Sequence, residues 1–340
     1  MPRHRRRNKA TKPPPGPLDP IHQLLEQYLT WMQTQNFSED TVTTRRTMVC
    51  YFLDWSKERG IDNPADITRP ILERYQRALY QHRKVNGQAL TFRTQVNRLR
   101  AIRGFFRWLA RKNHILHNPA SELELPRLDS RLPKYVLTAN EAEQVIAQPD
   151  VNDAEGLRDR AMLETFYSTG MRRMELANLK IFDVDEDRGT ILIRQGKGKK
   201  DRYVPAGERT LAWIAKYTSD ARPKLFTSGS DDGTLFLTHL GTPFERQQLT
   251  RLVRRYLEQS KIGKVGGCHL WRHTAATLML ENGADVRVIQ EMLGHSQLST
   301  TELYTRVSIN LLKQVHAATH PAAKLLAILE AERIDDDEEE

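Results

Sequence analysis

The chain has 340 residues, 39% of them hydrophobic and 28% charged, and a formal net charge of +9 at pH 7. This composition is typical of a globular protein with room for two domains, and it argues against a disordered chain. No apolar run reaches the roughly 18 residues that a membrane span needs, and the basic N-terminus has no apolar stretch behind it, so it is not a secretory signal. Because the two cysteines, Cys50 and Cys268, indicate neither a disulfide framework nor a zinc site, we expect a reducing, cytoplasmic setting.

The charge is unevenly distributed. Six acidic residues, Asp335 to Glu340, form one terminal run, so the rest of the chain is more basic than +9 suggests. Such a surface favours a polyanionic partner, with nucleic acid as the first hypothesis. Charge alone leaves open a basic surface without a ligand. A basic amphipathic membrane binder is less favoured because the charges are spread over many segments.

The N-terminal half predicts a helical domain. Residues 1–18 are rich in Arg, Lys and Pro and predict a flexible arm. Four helical patterns follow. The first covers about residues 20–35, the second begins at the N-cap Ser38 and stops at Gly60, and the third has Pro70 in its first turn, where the missing N–H does no harm.

The fourth helical pattern, about residues 90–112, is apolar on one face and basic on the other. The apolar face predicts packing into a bundle core. The basic face is either a solvated surface or a DNA contact, and the catalytic pattern described below favours DNA. The arginines of this face are Arg93, Arg98, Arg100, Arg103, Arg107 and Arg111.

A break at Asn118-Pro119 opens a polar, Pro-containing stretch, residues 118–134, which predicts a linker between domains. The second domain is expected to begin at Tyr135. Its predicted elements are, in chain order, a helix starting at Thr138, a helix over 157–169 that Gly170 stops, a β-hairpin over 190–204, and helices from about Arg246 onward.

Several chemistries are missing from the sequence. It has no Gly-rich loop ending in GK[ST], so nothing indicates that ATP supplies energy. The carboxylates form no obvious metal-ligand cluster, which argues against a two-metal nuclease. We therefore predict no cofactor and no metal.

The late part of the chain instead offers cationic residues at turns and one tyrosine. His269 and Arg272 lie three residues apart on a predicted helix and share a face. His295 follows the end of another helix, and a capping box at residues 299–302 begins a helix that presents Tyr304. A helix N-terminus favours anions such as phosphate. Each signal is weak when taken singly.

Taken together, these features resemble the catalytic domain of tyrosine recombinases, most closely the bacterial Xer branch. The likeness covers residues 166–305, and order, spacing and flanks all agree. Trp271 stands where the family has leucine, a change of packing rather than of chemistry. The matching stretches are TGMRRMEL at 169–176, GKGKKDRYVP at 196–205, HLWRHTAAT at 269–277 and LGHSQLSTTELY at 293–304.

The resemblance implies a catalytic set whose chemistry fits the residue types. Tyrosine ionises near pH 10, so its attack on phosphate needs proton removal and an activated phosphorus. Arginines can fork onto non-bridging oxygens, and a lysine can protonate the leaving oxygen. The implied set is Tyr304 as nucleophile, Arg172 and Arg272 on the phosphate, Lys197 as general acid, His269 as proton acceptor and His295 as a further phosphate donor.

Neighbouring residues carry alternative interpretations. Glu175 is expected to orient an arginine rather than to transfer protons. His273 lies one turn from His269 and competes for its role, although the family pattern favours His269. Arg173 and Lys199 are either phosphate contacts or solvated charges.

The predicted fold is mainly α-helical with a small β-hairpin or sheet, arranged as a two-domain clamp round duplex DNA. The expected parts are the arm 1–18, a helical core-binding domain 19–117, the linker 118–134, an α+β catalytic domain 135–334 and an acidic tail 335–340. The residues expected to bind DNA are Arg93, Arg100, Arg103, Arg107, Arg173 and Lys199.

The predicted function is site-specific recombination through a 3′-phosphotyrosine intermediate and a Holliday junction, without ATP or metal. The expected partners are double-stranded DNA with an inverted-repeat core site, and three further protomers in a homo-tetramer or a hetero-tetramer with a second recombinase. No membrane is expected.

Two alternative functions remain. A type IB topoisomerase uses similar residues, but the Xer-like flanks argue against it. A DNA-binding regulator with a decayed site conflicts with the six filled catalytic positions. The DNA site and the biological role, whether dimer resolution, plasmid maintenance or integration, are not determined.

Overall fold

The computed structural model describes residues 19–128, 135–194, 196, 201–226 and 231–294. Contacts divide the chain into two compact units, Met1–Ser130 and Arg131–Glu340. The described ranges are mainly helical, with one three-stranded antiparallel sheet. This confirms the predicted fold class. None of the helices in these ranges is long and apolar enough to cross a membrane.

The N-terminal unit contains the four helices predicted from hydrophobic periodicity. Asp19, Ser38 and Thr91 each cap a helix by accepting a backbone N–H of its first turn. Pro70 falls in the first turn of the third helix, as predicted. The four helices are α1 Pro20–Thr34, α2 Glu39–Lys57, α3 Arg69–Gln81 and α4 Phe92–Arg111.

The core of this unit is aromatic. Phe52, Phe105 and Phe106 are fully buried, and the rings of Phe52 and Phe106 meet edge to face at 5.9 Å. Ala120 and Leu123 are buried in the same core. Packing of the N-terminal unit thus extends into the segment expected to be a linker, and the domain boundaries stay a prediction.

The C-terminal unit contains eight further helices and three strands within the described residues. The helices are α5 Ala139–Ile146, α6 Ala154–Thr169, α7 Arg173–Ala177, α8 Glu208–Asp220, α9 Arg222–Leu225, α10 Arg246–Gln259, α11 Cys268–Glu281 and α12 Val286–Leu293. The strands are β1 Val184–Asp185, β2 Thr190–Ile193 and β3 Arg202–Pro205.

Helix α6 lies at the centre of the C-terminal unit and is buried on nearly all sides. Burying a charge is costly unless the charge is paired. Asp159 of α6, fully buried, accepts hydrogen bonds from Arg158, from Arg255 at 2.9 Å and from the Tyr256 hydroxyl at 2.7 Å. These bonds join α6 to α10, so the polar groups of α6 stabilise its packing.

The sheet has the order β1-β2-β3. In the β2–β3 hairpin Thr190 pairs with Pro205 and Ile193 pairs with Arg202, which confirms the hairpin predicted from the sequence. Of the connection between the two strands, residues 195 and 197–200 lie outside the described residues.

Gly170 ends α6 in the left-handed conformation, with φ of +57°. A Cβ atom there would lie 2.8 Å from Leu293 Cδ2 on α12. Glycine is therefore needed for its conformation and for the close approach of α12. This close approach brings the end of α12 against the turn that carries Arg172.

Candidate active site

Arg172 is placed by the turn between α6 and α7, where it is the residue that precedes α7. Its backbone N–H donates to Glu175 Oε2 at 2.8 Å, and its Nη1 donates to Glu175 Oε1 at 2.8 Å. Its Nη2 donates to the carbonyl oxygen of Gly294 at 2.9 Å. The side chain is 20% exposed, so the guanidinium is held in place and still reaches solvent.

Arg272 lies in the first half of α11 and is buried. Its Nη1 donates to the Gly170 carbonyl at 2.9 Å, and its Nη2 donates to the Leu293 carbonyl at 2.7 Å. The side chain thereby connects α11, the end of α6 and the end of α12. A guanidinium with two carbonyl acceptors stays charged when buried, because its hydrogen bonds replace water.

A third arginine, Arg202 at the start of β3, donates from Nε to the Met292 carbonyl at 3.0 Å. Arg202, Arg272 and Arg172 thus bind the carbonyls of residues 292, 293 and 294 respectively. The last carbonyls of a helix have no partner within the helix and carry the negative end of its dipole. A guanidinium group donates hydrogen bonds to these carbonyls, and its positive charge is attracted by the negative end of the dipole. Three positive charges are therefore close together at the end of α12.

Glu175 is the counter-charge of this cluster. Its Oε1 accepts a hydrogen bond from Arg202 Nη1 at 3.0 Å and its Oε2 accepts one from Arg202 Nη2 at 2.8 Å, in addition to the bonds from Arg172. Burial by itself raises the pKa of this carboxyl, but the hydrogen bonds from Arg202 and Arg172 outweigh burial and lower the pKa to about 2. Glu175 is therefore ionised at neutral pH, which makes it an acceptor that orients arginines and a poor proton donor.

His269 lies in the first turn of α11 and is exposed. Although the side chain as a whole is exposed, neighbouring groups cover part of its imidazole; this partial burial lowers its pKa, and so do the charges of Arg272, Arg173 and Arg172. His269 therefore shares the electrostatic environment of both arginines of the catalytic set. A neutral imidazole of this kind can accept a proton.

His273, the competing histidine, is half-buried one turn further along α11. Burial, together with the charges of His269 and Arg272, lowers its pKa to about 4. The imidazole is neutral at physiological pH. Because it is less accessible than His269, it is the less suitable of the two for contact with DNA.

Arg173 is the first residue of α7 and is half-buried. Its Nη1 donates to the hydroxyl of Thr250 on α10 at 2.5 Å. Among the described residues its Nε has no hydrogen-bond partner. Arg173 is therefore not a fully solvated charge, and its assignment as a DNA contact stays a prediction.

Four predicted site residues, Lys197, Lys199, His295 and Tyr304, lie outside the described residues. Their place in the sequence still relates them to the cluster. Lys197 and Lys199 belong to the connection between β2 and β3, and His295 directly follows Gly294, whose carbonyl Arg172 binds.

The predicted DNA-contacting arginines of the N-terminal unit lie on α4 away from its buried face. Arg98 instead packs on the Tyr51 ring, 4.1 Å from its centroid, and is half-buried. Arg98 therefore differs from the other arginines of the basic face of α4, because its side chain packs on an aromatic ring. Arg93, Arg100 and Arg107 are exposed, and Arg103 is half-buried.

Arg202 was missed as a site residue by sequence reasoning, although its stretch was recognised. The alternation of side chains along the strand could have indicated its role. Residues two apart on a strand share a face, so Arg202 lies on the same face as Val204, which is buried. A charge on the buried face of a strand indicates an ion pair.

The described ranges contain no group of three or more His, Cys, Asp or Glu that could hold a metal ion. The polar groups that cluster at the end of α12 are arginines and one carboxylate. Their chemistry is that of an anion site, because arginine presents N–H donors in the geometry that phosphate accepts.

Comparison with known proteins identifies the family of this chain. Residues 135–310 match the model of the phage integrase family. The chain is 48% identical over 318 residues to the tyrosine recombinase XerC 2 of Ralstonia nicotianae (strain ATCC BAA-1114 / GMI1000), a match that covers 91% of each chain.

Two solved structures share the fold. The first is the XerH site-specific recombinase bound to its palindromic difH substrate, with a TM-score of 0.66, 22% identity, and coverage of 86% of this chain and 83% of that one. The second is a lambda integrase tetramer bound to a Holliday junction, with a TM-score of 0.61, 17% identity, and coverage of 84% of this chain and 76% of that one.

The chain therefore belongs to the phage integrase family and is a DNA breaking-and-rejoining enzyme. Within that family it is a site-specific tyrosine recombinase of the Xer branch. The family and the function predicted from the sequence are confirmed, while the roles of individual residues stay predictions.

Replacing Glu175 tests its place in the cluster. Its pKa is about 2 in the folded protein and about 4.3 in an unfolded chain, so ionised Glu175 stabilises the fold above about pH 4.3, and this contribution is lost as pH falls toward 2. Glu175→Gln should lower the free energy of unfolding by about 3 kcal/mol at pH 7. The difference in free energy of unfolding between the variant and the wild type should shrink at pH 3, as measured by urea unfolding at both pH values.

Glu186→Gln, at an exposed position, is the control and should change stability by under about 0.5 kcal/mol. A loss that does not depend on pH would contradict the assignment.

Proposed function

We propose that the end of α12 marks the place where the scissile phosphate binds, and that Tyr304 attacks this phosphate. The observation that carries the proposal is the convergence of Arg172 and Arg272 on neighbouring carbonyls. Their charge does not depend on pH, and their planar groups suit the non-bridging oxygens of phosphate. A well-placed donor of this kind stabilises a transition state by about 3–4 kcal/mol.

The cleavage step begins with the hydroxyl of Tyr304. Its oxygen forms a bond to phosphorus while the bond from phosphorus to the 5′-oxygen breaks. The tyrosine proton passes to His269, whose pKa is lowered by partial burial and by the nearby guanidinium charges. Lys197 gives a proton to the departing 5′-oxygen, and His295 donates a hydrogen bond to the phosphate.

The products of cleavage are a 3′-phosphotyrosine and a free 5′-hydroxyl. Attack of a different 5′-hydroxyl on the phosphotyrosine reverses the step and joins new strands. The phosphotyrosine conserves the energy of the broken bond, so the exchange needs neither ATP nor a metal ion. Two such exchanges, one after the other, pass through a Holliday junction.

DNA binding is assigned to basic residues of both units, which we propose form a clamp round the duplex in the cytoplasm. Arg93, Arg100, Arg103 and Arg107 of α4 would contact backbone phosphates, with Arg173 and Lys199 beside the scissile bond. Phosphate contacts of this kind fix the register of the protein on DNA, while base contacts specify the sequence.

For the assembly, we propose four protomers on a site with inverted repeats, as a homo-tetramer or together with a second recombinase. A lambda integrase of similar fold binds a Holliday junction as a tetramer. Residues 323–329 lie outside the described residues, and their sequence predicts a short helix with Leu325, Ile328 and Leu329 on one face. Such a helix is not stable alone, so its apolar face has to pack on its own protomer or on the next one.

The nucleophile is tested by Tyr304→Phe. The variant lacks only the attacking oxygen, so it should form no covalent adduct with a nicked suicide substrate while binding DNA within about twofold of wild type. Denaturing gels detect the adduct, and mobility shifts measure binding. An adduct formed by the variant would assign the nucleophile to another residue.

The general acid is tested by Lys197→Ala. Cleavage should slow by about 10²- to 10⁴-fold, as expected for loss of a general acid. A substrate with sulfur at the 5′-bridging position should restore the rate, because a thiolate leaves without a proton. Absence of that rescue would move the role to His269, and a strict requirement for a divalent ion, tested with EDTA, would contradict the mechanism.

The C-terminal segment is tested by deleting residues 322–340. If the segment packs on a neighbouring protomer, the deletion should leave binding to a single site nearly unchanged and reduce synapsis and strand exchange. Native gels with one-site and two-site DNA measure both. A truncated protein that builds the four-protomer complex and recombines normally would show that the segment does not mediate assembly.

A further inference from the structure

Arg202 is a largely buried cation in a strand that follows the Lys197 connection. Its backbone pairs with Ile193 as the first residue of β3. Its side chain is 14% exposed and lies on the face of Val204, while Tyr203 points to solvent at 64% exposure. Burial of so polar a group requires partners that replace water on every side.

Those partners belong to two other elements. Both terminal nitrogens of Arg202 donate to the two oxygens of Glu175, at 3.0 and 2.8 Å, and its Nε donates to the Met292 carbonyl at 3.0 Å. A Cβ atom on Gly294 would lie 3.1 Å from Arg202 Cζ and Nε. The guanidinium is therefore packed against the last turn of α12 as well as hydrogen-bonded to it.

Each element that Arg202 contacts carries part of the catalytic set. Glu175 also holds Arg172. The end of α12 is followed directly by His295, and β3 directly follows the connection that contains Lys197. One side chain thus fixes α7, α12 and the hairpin relative to one another.

We propose that Arg202 is a positioning residue for strand cleavage, which places Arg172, through Glu175, and the end of α12 where the scissile phosphate binds. The proposal rests on the role assigned above to Arg172. Arg202 acts through these two groups, because its guanidinium donates to Glu175 and to the Met292 carbonyl. It acts on the phosphate-binding side of the reaction and not on the protonation of the leaving group.

Only arginine meets all three contacts. A lysine ammonium can bind one oxygen of Glu175 but cannot bind both oxygens and the Met292 carbonyl in one plane. Arg202→Lys therefore keeps the charge and loses the geometry, whereas Arg202→Gln loses both. Arg194→Gln is the matched control, because Arg194 directly follows β2 of the same hairpin and pairs at 2.5 Å with buried Asp183, a residue that belongs to neither α7 nor α12.

The test is single-turnover cleavage of a nicked suicide substrate at saturating protein. Arg202→Gln should cleave about 10- to 100-fold more slowly, the loss that a small misplacement of catalytic groups produces. Its DNA binding should stay within about threefold of wild type. Arg202→Lys should lie between Arg202→Gln and wild type, and it keeps the test valid if the glutamine variant fails to fold. Arg194→Gln should cleave within about threefold of wild type.

Two readouts separate positioning from mere stabilisation of the fold. A 5′-bridging sulfur should not restore cleavage by Arg202→Gln, in contrast to Lys197→Ala. Combining Arg202→Gln with Glu175→Gln should slow cleavage little beyond the slower single variant, because both changes break one connection to Arg172. Independent, multiplying effects of the two changes would overturn the proposal. Restoration by sulfur would also overturn it, as would an equal loss in Arg194→Gln.

Failure of this inference is distinguishable from failure of the proposed function. Arg172→Ala, tested on the same substrate, should lose nearly all cleavage. If Arg172→Ala cleaves normally, the assignment of the phosphate site is wrong. If Arg172→Ala is inactive and Arg202→Gln cleaves at the wild-type rate, only the role of Arg202 is wrong.

Discussion

At the end of α12, the carbonyl oxygens of Met292, Leu293 and the C-cap residue Gly294 accept hydrogen bonds from arginines of three distant segments. Each arginine arrives from a different element, so this one hydrogen-bonded cluster determines where α7, α11, α12 and the β2–β3 hairpin lie relative to one another. Hydrogen bonds to charged groups contribute about 1.5–3 kcal/mol each. The partial negative charge of the helix end also allows guanidinium groups to gather where they would otherwise repel one another.

Glu175 provides the negative charge that partly offsets the positive charge of the arginine cluster. A single buried carboxylate neutralises part of the charge of Arg172 and Arg202, and its pKa of about 2 keeps it ionised throughout the physiological range. The cluster therefore retains excess positive charge, which is the property that a phosphate site requires. A second buried carboxylate, Asp159, performs a purely structural role on α6 through Arg158, Arg255 and Tyr256. The two acids differ in their partners, because only Glu175 binds an arginine of the predicted catalytic set.

Close packing supports this electrostatic arrangement. Gly170 allows Leu293 to approach the end of α6, and Trp271, which is fully buried, packs edge to face on Tyr167 with centroids 6.0 Å apart. The tryptophan stands at a family leucine position, and its burial agrees with a change confined to packing. An arginine cluster of this kind needs such rigid surroundings. A displaced guanidinium loses both the hydrogen bond to its carbonyl acceptor and its orientation toward the phosphate.

Patterns in the sequence predict the helices and strands of both units, the family and the chemical groups of the site. Periodicity and caps predicted the four N-terminal helices, Gly170 as the end of α6, and the β2–β3 hairpin, because these signals are local in the chain. The joint spacing of four motifs predicted the recombinase class. The environment of each charge, in contrast, follows from the tertiary structure. It assigned Arg98 to packing on Tyr51 and exposed His269 more than His273. It also joined Arg202 to Glu175 and Met292, residues 27 and 90 positions away. Sequence patterns report which face of an element is buried, but the partner that a buried charge meets depends on how distant elements pack together.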